Sequence, residues 1–367
     1  MVKEMRSGYT TGACAAAGTK AALLLLSGKH CESVMIEALD GTPLHIPIKE
    51  VVETSSGACA EVVKFSGDDP DITNGVSVFT EVIVRPNGTG VRFHAGRGIG
   101  MVTKPGLSVP PGEPSINPGP RQLIQNVVEE VLGKDGSADV TISIPAGEEL
   151  AKRTLNPVLG IVGGISVIGT TGVLRPMSEE GFKNALVPLM DVALAAGVDT
   201  QIFVPGKMGE NAAVRFGLPR EAVVQTSNFI GFMLERAAER KLKRVLLFGH
   251  IGKLSKVAAG VFYTHNRIAD GRLESLAAYA AAEGLPQESV RRILAATTTE
   301  EALPILSECG LQRVYDILCA RASARAERYV FQDLRVGTAM TTLKGELLGM
   351  DETAKEIGRD FHWNIGS

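Results

Sequence analysis

Residues 200–248 read TQIFVPGKMGENAAVRFGLPREAVVQTSNFIGFMLERAAERKLKRVLLF. Short apolar strands at Thr200–Val204, Ala222–Gln225 and Arg244–Phe248 alternate here with helical patterns around Met208–Phe216 and over Asn228–Lys241. Parallel pairing needs a crossover between successive strands, and each of these connections has the length for one. A parallel, doubly wound sheet is therefore expected, with its ligands at the C-terminal ends of the strands. Upstream, an apolar strand over Leu159–Ile168 and a helix over Ser178–Ala196 extend the alternation. Downstream, residues 253–328 are almost wholly helical, and the tail beyond Tyr329 carries no strong pattern.

The first half has another rhythm. A nearly all-apolar helix from about Gly12 to Ser27 is capped by Thr10 or Thr11 and stopped by Gly28. Apolar runs at Val34–Ala38, Leu44–Val52, Ala58–Phe65 and Val76–Val84, parted by turn residues, predict a mainly antiparallel sheet. A helix over Pro120–Leu132 and a strand over Asp139–Ile144 complete it. The pattern changes near residue 157, so an α+β domain is expected over residues 1–157 and an α/β domain with a helical C-terminal part over 158–367.

Length supports two domains, since 367 residues exceed the roughly 250 to 300 at which one hydrophobic core stops growing. A net charge of -3 with mixed signs along the chain offers no broad positive field for nucleic acid. Five scattered cysteines without a CxxC pair argue against a disulfide framework and a zinc knuckle, and fit a reducing compartment. The apolar run Ala13–Leu26 is too short to span a bilayer and contains Lys20, so neither a membrane span nor a signal peptide is expected.

Several motifs carry chemistry on one reading and plain structure on another. In GIVGGISVIGTTGVLRPMS, a strand that holds Gly163 and Gly164 ends in Gly169, Thr170, Thr171 and Gly172 before a helix. Glycines there either let a cofactor approach backbone closely or pack strand against helix. The spacing is not GxGxxG, and no acid ends the next strand. In GHIGKLSKVAAG the Walker pattern fails, because Leu247 and Leu254 stand where Gly and Ser or Thr are needed. Lys253 and Lys256 suit carboxylates and His250 suits proton handling, against a solvated lysine pair and a loop-packing histidine. Thr10 and Thr11 open a helix whose dipole favours anions, or simply cap it. Arg97 and Arg121 lie beside glycines and either fork onto carboxylates or stay on the surface. Asp68, Asp69 and Asp71 lack calcium-loop spacing and read as a tight turn. No metal site is expected.

Taken in order, GYTTGACAAAGTKAA, GDDPDITNG, GRGIGMVTKPGL, INPGPRQLI, GIVGGISVIGTTGVLRPMS, SNFIGFML and GHIGKLSKVAAGVFYTHN resemble the CbiD-type cobalt-precorrin-5B C1-methyltransferase family. The likeness runs from residue 8 to about 266. It implies an N-terminal α+β domain similar to domain 2 of ribosomal protein S5 and a C-terminal Rossmann-like domain. It also implies methyl transfer from S-adenosylmethionine to C1 of a cobalt-containing macrocycle in cobalamin biosynthesis, with cobalt arriving only as part of the substrate.

On that reading Gly163, Gly164, Gly169, Thr170, Thr171 and Gly172 hold the methyl donor. Thr10, Thr11, Arg97, Arg121, Lys253 and Lys256 face the carboxylates of the cobalt-corrin precursor, and His250 is the catalytic candidate. Two rivals stay open at this point: a non-catalytic tetrapyrrole carrier and a small-molecule phosphate-handling enzyme. A cytoplasmic location is expected, and self-association as a homodimer is left open.

Overall fold

The computed structural model describes residues 5–176 and 178–364, so Met177 of the glycine-rich motif lies outside the described residues. The chain divides into two compact units, Met1–Glu179 and Glu180–Ser367.

The first unit begins with β1 (Gly8–Tyr9) and α1 (Thr11–Leu26), then β2 (Ser33–Glu37), β3 (Pro43–Pro47), β4 (Glu50–Glu53), β5 (Ala58–Val63) and β6 (Ser77–Val84). It continues through β7 (Gly90–Ala95), β8 (Met101–Val102), α2 (Pro118–Leu132), β9 (Ser137–Ser143), α3 (Gly147–Ala151), α4 (Asn156–Leu159), β10 (Ile161–Val162) and β11 (Val173–Leu174). The main sheet has the order β4-β5-β6-β9-β7. Its pairs are antiparallel except β7 with β9. Helix α1 packs on this sheet and on α2, and its Ala13, Ala15, Ala16, Ala17, Ala21 and Ala22 are fully buried. Small side chains bring the helix close to the strands: a Cβ on Gly18 would stand 2.8 Å from Thr80 Oγ1. Thr10 caps the helix by accepting from the Ala13 amide at 3.2 Å.

The sequence reading of Leu159–Ile168 as the first strand of the parallel sheet is not met. Its glycines break the run, and its backbone bonds go mostly to residues 98–117 and, at Ile168, to Thr11 and Gly12. Gly100 N donates to Ile165 O at 2.9 Å, Ile165 N to Gly98 O at 2.9 Å and Val167 N to Ser115 O at 2.8 Å. Further on, β11 pairs with β1. These bonds hold the segment in the first unit, and the division falls at Glu179/Glu180 rather than after residue 157. The run Leu44–Val52, read as one strand, is split into β3 and β4 after Pro47.

The second unit runs α5 (Glu179–Ala195), β12 (Thr200–Val204), α6 (Lys207–Arg215), β13 (Val223–Gln225), α7 (Ile230–Glu239), β14 (Arg244–His250) and α8 (Ile251–Ala258). Helices α9 (Arg272–Ala282), α10 (Gln287–Ala295), α11 (Thr299–Glu308) and α12 (Val314–Tyr329) follow, then β15 (Arg335–Thr341), β16 (Leu347–Met350) and α13 (Glu352–Asp360). The sheet order is β13-β12-β14-β15-β16, parallel throughout except the β15–β16 pair. Alternate residues feed two apolar layers. Phe203, Val245 and Leu247 join Met233, Leu254 and Leu318 on one side, while Ile202, Leu246 and Phe248 join Ala213, Ile357 and Trp363 on the other. Two-sided burial of this kind is what near-continuous apolar strands encode.

Lys64 holds the loop after β5, with 1% of its side chain exposed; its ammonium pairs with Asp71 at 2.7 Å and donates to Ser66 Oγ at 2.6 Å. Burial works against the Asp71 carboxylate, but hydrogen bonds from Lys64 and Thr73 prevail and hold it below its ordinary value. Its stabilising effect is therefore complete above the unfolded pKa of about 3.9 and is lost as pH falls through the lower folded value. Asp71→Asn strands the ammonium and should cost about 3 to 5 kcal/mol at neutral pH. Urea unfolding at neutral and acid pH checks this; a variant as stable as wild type at neutral pH contradicts it.

Candidate functional site

In the second unit, the connections leaving β12 and β14 diverge, the first toward β13 and the second toward β15. Where crossovers part in this way, the strand C-termini open a crevice. Two loops line it, Pro205-Gly206 after β12 and Gly249-His250 at the end of β14. They touch, because a Cβ on Gly249 would meet Pro205 Cδ at 2.9 Å. Gly206 is different: a Cβ there would meet no atom within 4 Å, so backbone at the start of α6 faces open space. Across β13, Glu210 of α6 accepts from Gln225 and pairs with Lys207 at 2.6 Å. Burial alone would raise the Glu210 pKa, but those hydrogen bonds and the charges of Lys207 and Arg220 hold it below its ordinary value.

His250 ends β14 and caps α8. Its Nδ1 accepts the Gly252 amide at 3.1 Å, so the proton sits on Nε2, which donates to Glu300 Oε1 at 2.9 Å. Glu300 opens α11 and also accepts the Leu343 amide at 2.8 Å. Both ring nitrogens are thus engaged, and the imidazole joins the exits of β14 and β15 to the start of α11. In this arrangement each ring nitrogen has a partner within the unit, which fixes the orientation of the imidazole.

The two lysines separate. Lys256 is fully buried and donates to Asn266 Oδ1 at 2.7 Å, Ala269 O at 3.0 Å and Thr264 O at 3.3 Å. Its three N–H groups are spent on the loop after α8, and the Asp270 carboxylate stands 3.8 Å away. Burial and then Lys256 lower the pKa of Lys253, which is half-buried and donates to Asn228 Oδ1. No acid within ion-pair distance of it occurs among the described residues. Asn228 follows Ser227, whose φ of 52° is left-handed and strained for a non-glycine residue. The loop after α8 joins here too, through Thr264 N to Asn228 O at 3.0 Å and Gly231 N to Phe262 O at 3.1 Å.

The first-unit candidates meet their own chain. Thr10 and Thr11 are buried; Thr11 Oγ1 accepts the Ile168 amide at 2.9 Å and donates to Ile168 O at 3.2 Å. A Cβ on Gly164 would meet Gly98 O at 2.1 Å, one on Gly169 would meet Thr10 Oγ1 at 2.3 Å and one on Gly172 would meet Leu123 Cδ1 at 3.1 Å. These glycines let backbone and side chains of the same unit approach, and Gly163 alone of the four opens onto empty space. Thr171 O accepts the Leu39 amide at 2.8 Å, and Thr170 lies beside it in the same loop. Arg121 donates to Ile116 O at 2.8 Å and pairs with Glu113 at 2.7 Å. Arg97 forms an exposed pair with Glu148 at 3.2 Å. The acidic turn is closed by Asp71 Oδ1, which accepts from Thr73 N at 2.7 Å. No cluster of three or more potential metal ligands occurs among the described residues.

Asn228 and Glu300 escaped the sequence reading. Asn228 lies in the segment SNFIGFML and Glu300 in no motif, and only the fold brings them to Lys253 and His250 across long chain separations.

A family model described as CbiD matches residues 1–176, and one described as the CbiD C-terminal domain matches residues 263–352. A cobalt-precorrin-5B C(1)-methyltransferase of Moorella thermoacetica is 47% identical over 367 residues, covering 99% of this chain and 100% of that one. The chain belongs to the CbiD family. A relative of the same name from Methanocaldococcus jannaschii is 45% identical over 351 residues, 95% of this chain and 96% of that one. Among solved structures, a cobalamin biosynthesis protein (cbiD) from Archaeoglobus fulgidus is 24% identical, covers 76% of this chain and 85% of that one, and superposes with a TM-score of 0.38. The first CbiD model ends close to the end of the first unit. Its C-terminal counterpart includes Glu300 and the β15 exit, the parts that His250 joins.

Replacing His250 by Ala removes a helix cap and a donor to Glu300, and should cost about 1 to 3 kcal/mol. Faster hydrogen exchange at the Leu343 amide should accompany the loss. Unchanged stability and exchange in His250→Ala would remove the orienting role.

Proposed function

We propose that this chain transfers a methyl group from S-adenosylmethionine to C1 of cobalt-precorrin-5B in cobalamin biosynthesis. The single observation behind this is the likeness along the whole chain, at 47% identity, to a relative bearing that enzyme's name. In fold terms, we read the first unit as similar to domain 2 of ribosomal protein S5 and the second as Rossmann-like. No helix among the described residues is long and apolar enough to cross a membrane, in keeping with a cytoplasmic enzyme.

What the glycines face supports one place for the methyl donor over another. Gly164, Gly169 and Gly172 are taken up by contacts inside the first unit, whereas Gly206 leaves backbone open at the strand C-termini of the second. We therefore seat the donor against Pro205–Lys207 and the end of β14, in place of the 163–172 loop. When bound, the donor would supply a sulfonium methyl that the electron-rich macrocycle carbon takes up, with S-adenosylhomocysteine as the leaving group and no covalent enzyme intermediate. The chain's share is to bind and align the two partners, since positioning alone can contribute several kcal/mol to such a step. His250 and Glu300 keep the strand exits in register for that alignment. Cobalt is carried by the substrate.

Calorimetric titration with S-adenosylmethionine tests this reading. Wild type should bind at about micromolar affinity, roughly -8 kcal/mol, and Gly206→Val should weaken binding about tenfold or more while remaining folded. Equal binding by Gly206→Val moves the donor elsewhere. Absence of binding by wild type, with a corrinoid present, replaces the enzyme by a tetrapyrrole carrier.

A further inference from the structure

Lys253 differs from several cations of the second unit that meet an acid. Lys207 pairs with Glu210 at 2.6 Å, Arg240 with Asp191, Arg244 with Asp360 at 2.6 Å and Arg335 with Glu356 at 2.6 Å. Lys253 has Asn228 Oδ1 and no carboxylate, although it is half-buried at the C-terminal edge of the sheet. An ammonium partly removed from water without a counter-ion is costly. The surroundings add to its charge. Lys256 and Arg272 lie close enough to influence one another, and Asp270 is the acid that faces Lys256, at 3.8 Å.

Two further observations bear on what belongs there. Thr264, whose amide bonds Asn228 O at 3.0 Å, has a fully buried hydroxyl with no partner among the described residues, and a buried hydroxyl calls for one. The chain has one Trp, five Tyr and twelve Phe, yet several of these gather beside Asn228. Phe229 meets Tyr263 at 4.9 Å and Phe182 at 5.8 Å between ring centroids, and Phe182 is 53% exposed. An apolar ring surface next to an unpaired ammonium matches a ligand that is flat, apolar on its face and carboxylated at its rim.

We propose that Lys253, steadied by Asn228, forms a carboxylate-binding subsite at the edge of the parallel sheet. This rests on the reading of the chain as a methyltransferase of a polycarboxylate macrocycle, and it commits to one chemistry, the carboxylate. Two ligands of that reaction carry the group: the macrocycle, on its acetate and propionate arms, and the methyl donor, on its amino-acid end. The charge-assisted bond from Lys253 would be made on binding, with Asn228 Oδ1 holding one ammonium N–H so that the others point outward.

The test uses the full chain, with Lys253→Met, Lys253→Arg and Thr264→Val checked for folding by thermal melts. Uroporphyrin serves as a flat polycarboxylate tetrapyrrole in fluorescence titration, and S-adenosylhomocysteine as the donor's carboxylate end in calorimetry. Lys253→Met should lose about tenfold or more in affinity for one of the two probes, the equivalent of about 1.4 kcal/mol. Lys253→Arg, which keeps the charge, should recover much of it. A loss for uroporphyrin alone assigns the subsite to the macrocycle, and a loss for S-adenosylhomocysteine alone assigns it to the donor. If wild type and Lys253→Met bind both probes equally well, the subsite is overturned while the methyltransferase reading stands. Should wild type bind neither, that reading fails and the subsite with it.

Discussion

The arrangement of the second unit depends on one constraint: parallel strands cannot be joined by tight turns, so the four parallel strands β12 to β15 leave the sheet at the same edge. That edge then has to be held together by groups that are distant in sequence. Here the junction is Glu300, which accepts from His250 Nε2 at 2.9 Å and from the Leu343 amide at 2.8 Å. One carboxylate therefore fixes the exits of β14 and β15 and the start of α11. Around this fixed rim the loop at Gly206 stays open and the ammonium of Lys253 stays unpaired by any acid. A rigid frame with a few uncommitted polar groups is what a reaction governed by alignment requires.

Glycine works differently in the first unit. Gly98, Gly164 and Gly147 press backbone on backbone, since a Cβ on Gly164 would meet Gly98 O at 2.1 Å and one on Gly147 the same oxygen at 2.2 Å. Gly164 and Gly169 of the motif GIVGGISVIGTTG thus pack closely inside the unit, while Gly163 faces open space. A glycine-rich turn after an apolar run has the same appearance whether it cradles a ligand or another piece of chain. The spatial neighbour distinguishes the two cases, and sequence does not contain it.

Much of the fold was legible because periodicity reports burial. The strands β12, β13 and β14 and helices α1, α2, α5, α6 and α7 stand close to where apolar spacing places them, since each buries a stripe or a face. What stayed hidden lacked such a signal. Strand β15 reads RVGTAMT, and its buried Thr338 and Thr341 are polar residues that a hydrophobic pattern passes over. Strand β7 alternates exposed Arg92 and His94 with partly buried neighbours inside a glycine-rich stretch. Among site residues, the placement of His250 and Lys253 after a parallel strand was readable. The burial of Lys256 was not, because the asparagine and carbonyls that receive its ammonium lie eight to thirteen residues further on.

The reaction proposed for this chain forms a carbon–methyl bond at C1 of the macrocycle. Incubating the purified protein with cobalt-precorrin-5B and S-adenosylmethionine carrying an isotopically labelled methyl group tests it most directly. The expected result is a product heavier by one labelled methyl, with the label at C1 by nuclear magnetic resonance and S-adenosylhomocysteine released in equal amount. A macrocycle recovered unlabelled from protein that binds both ligands, or a label at another ring carbon, would contradict it.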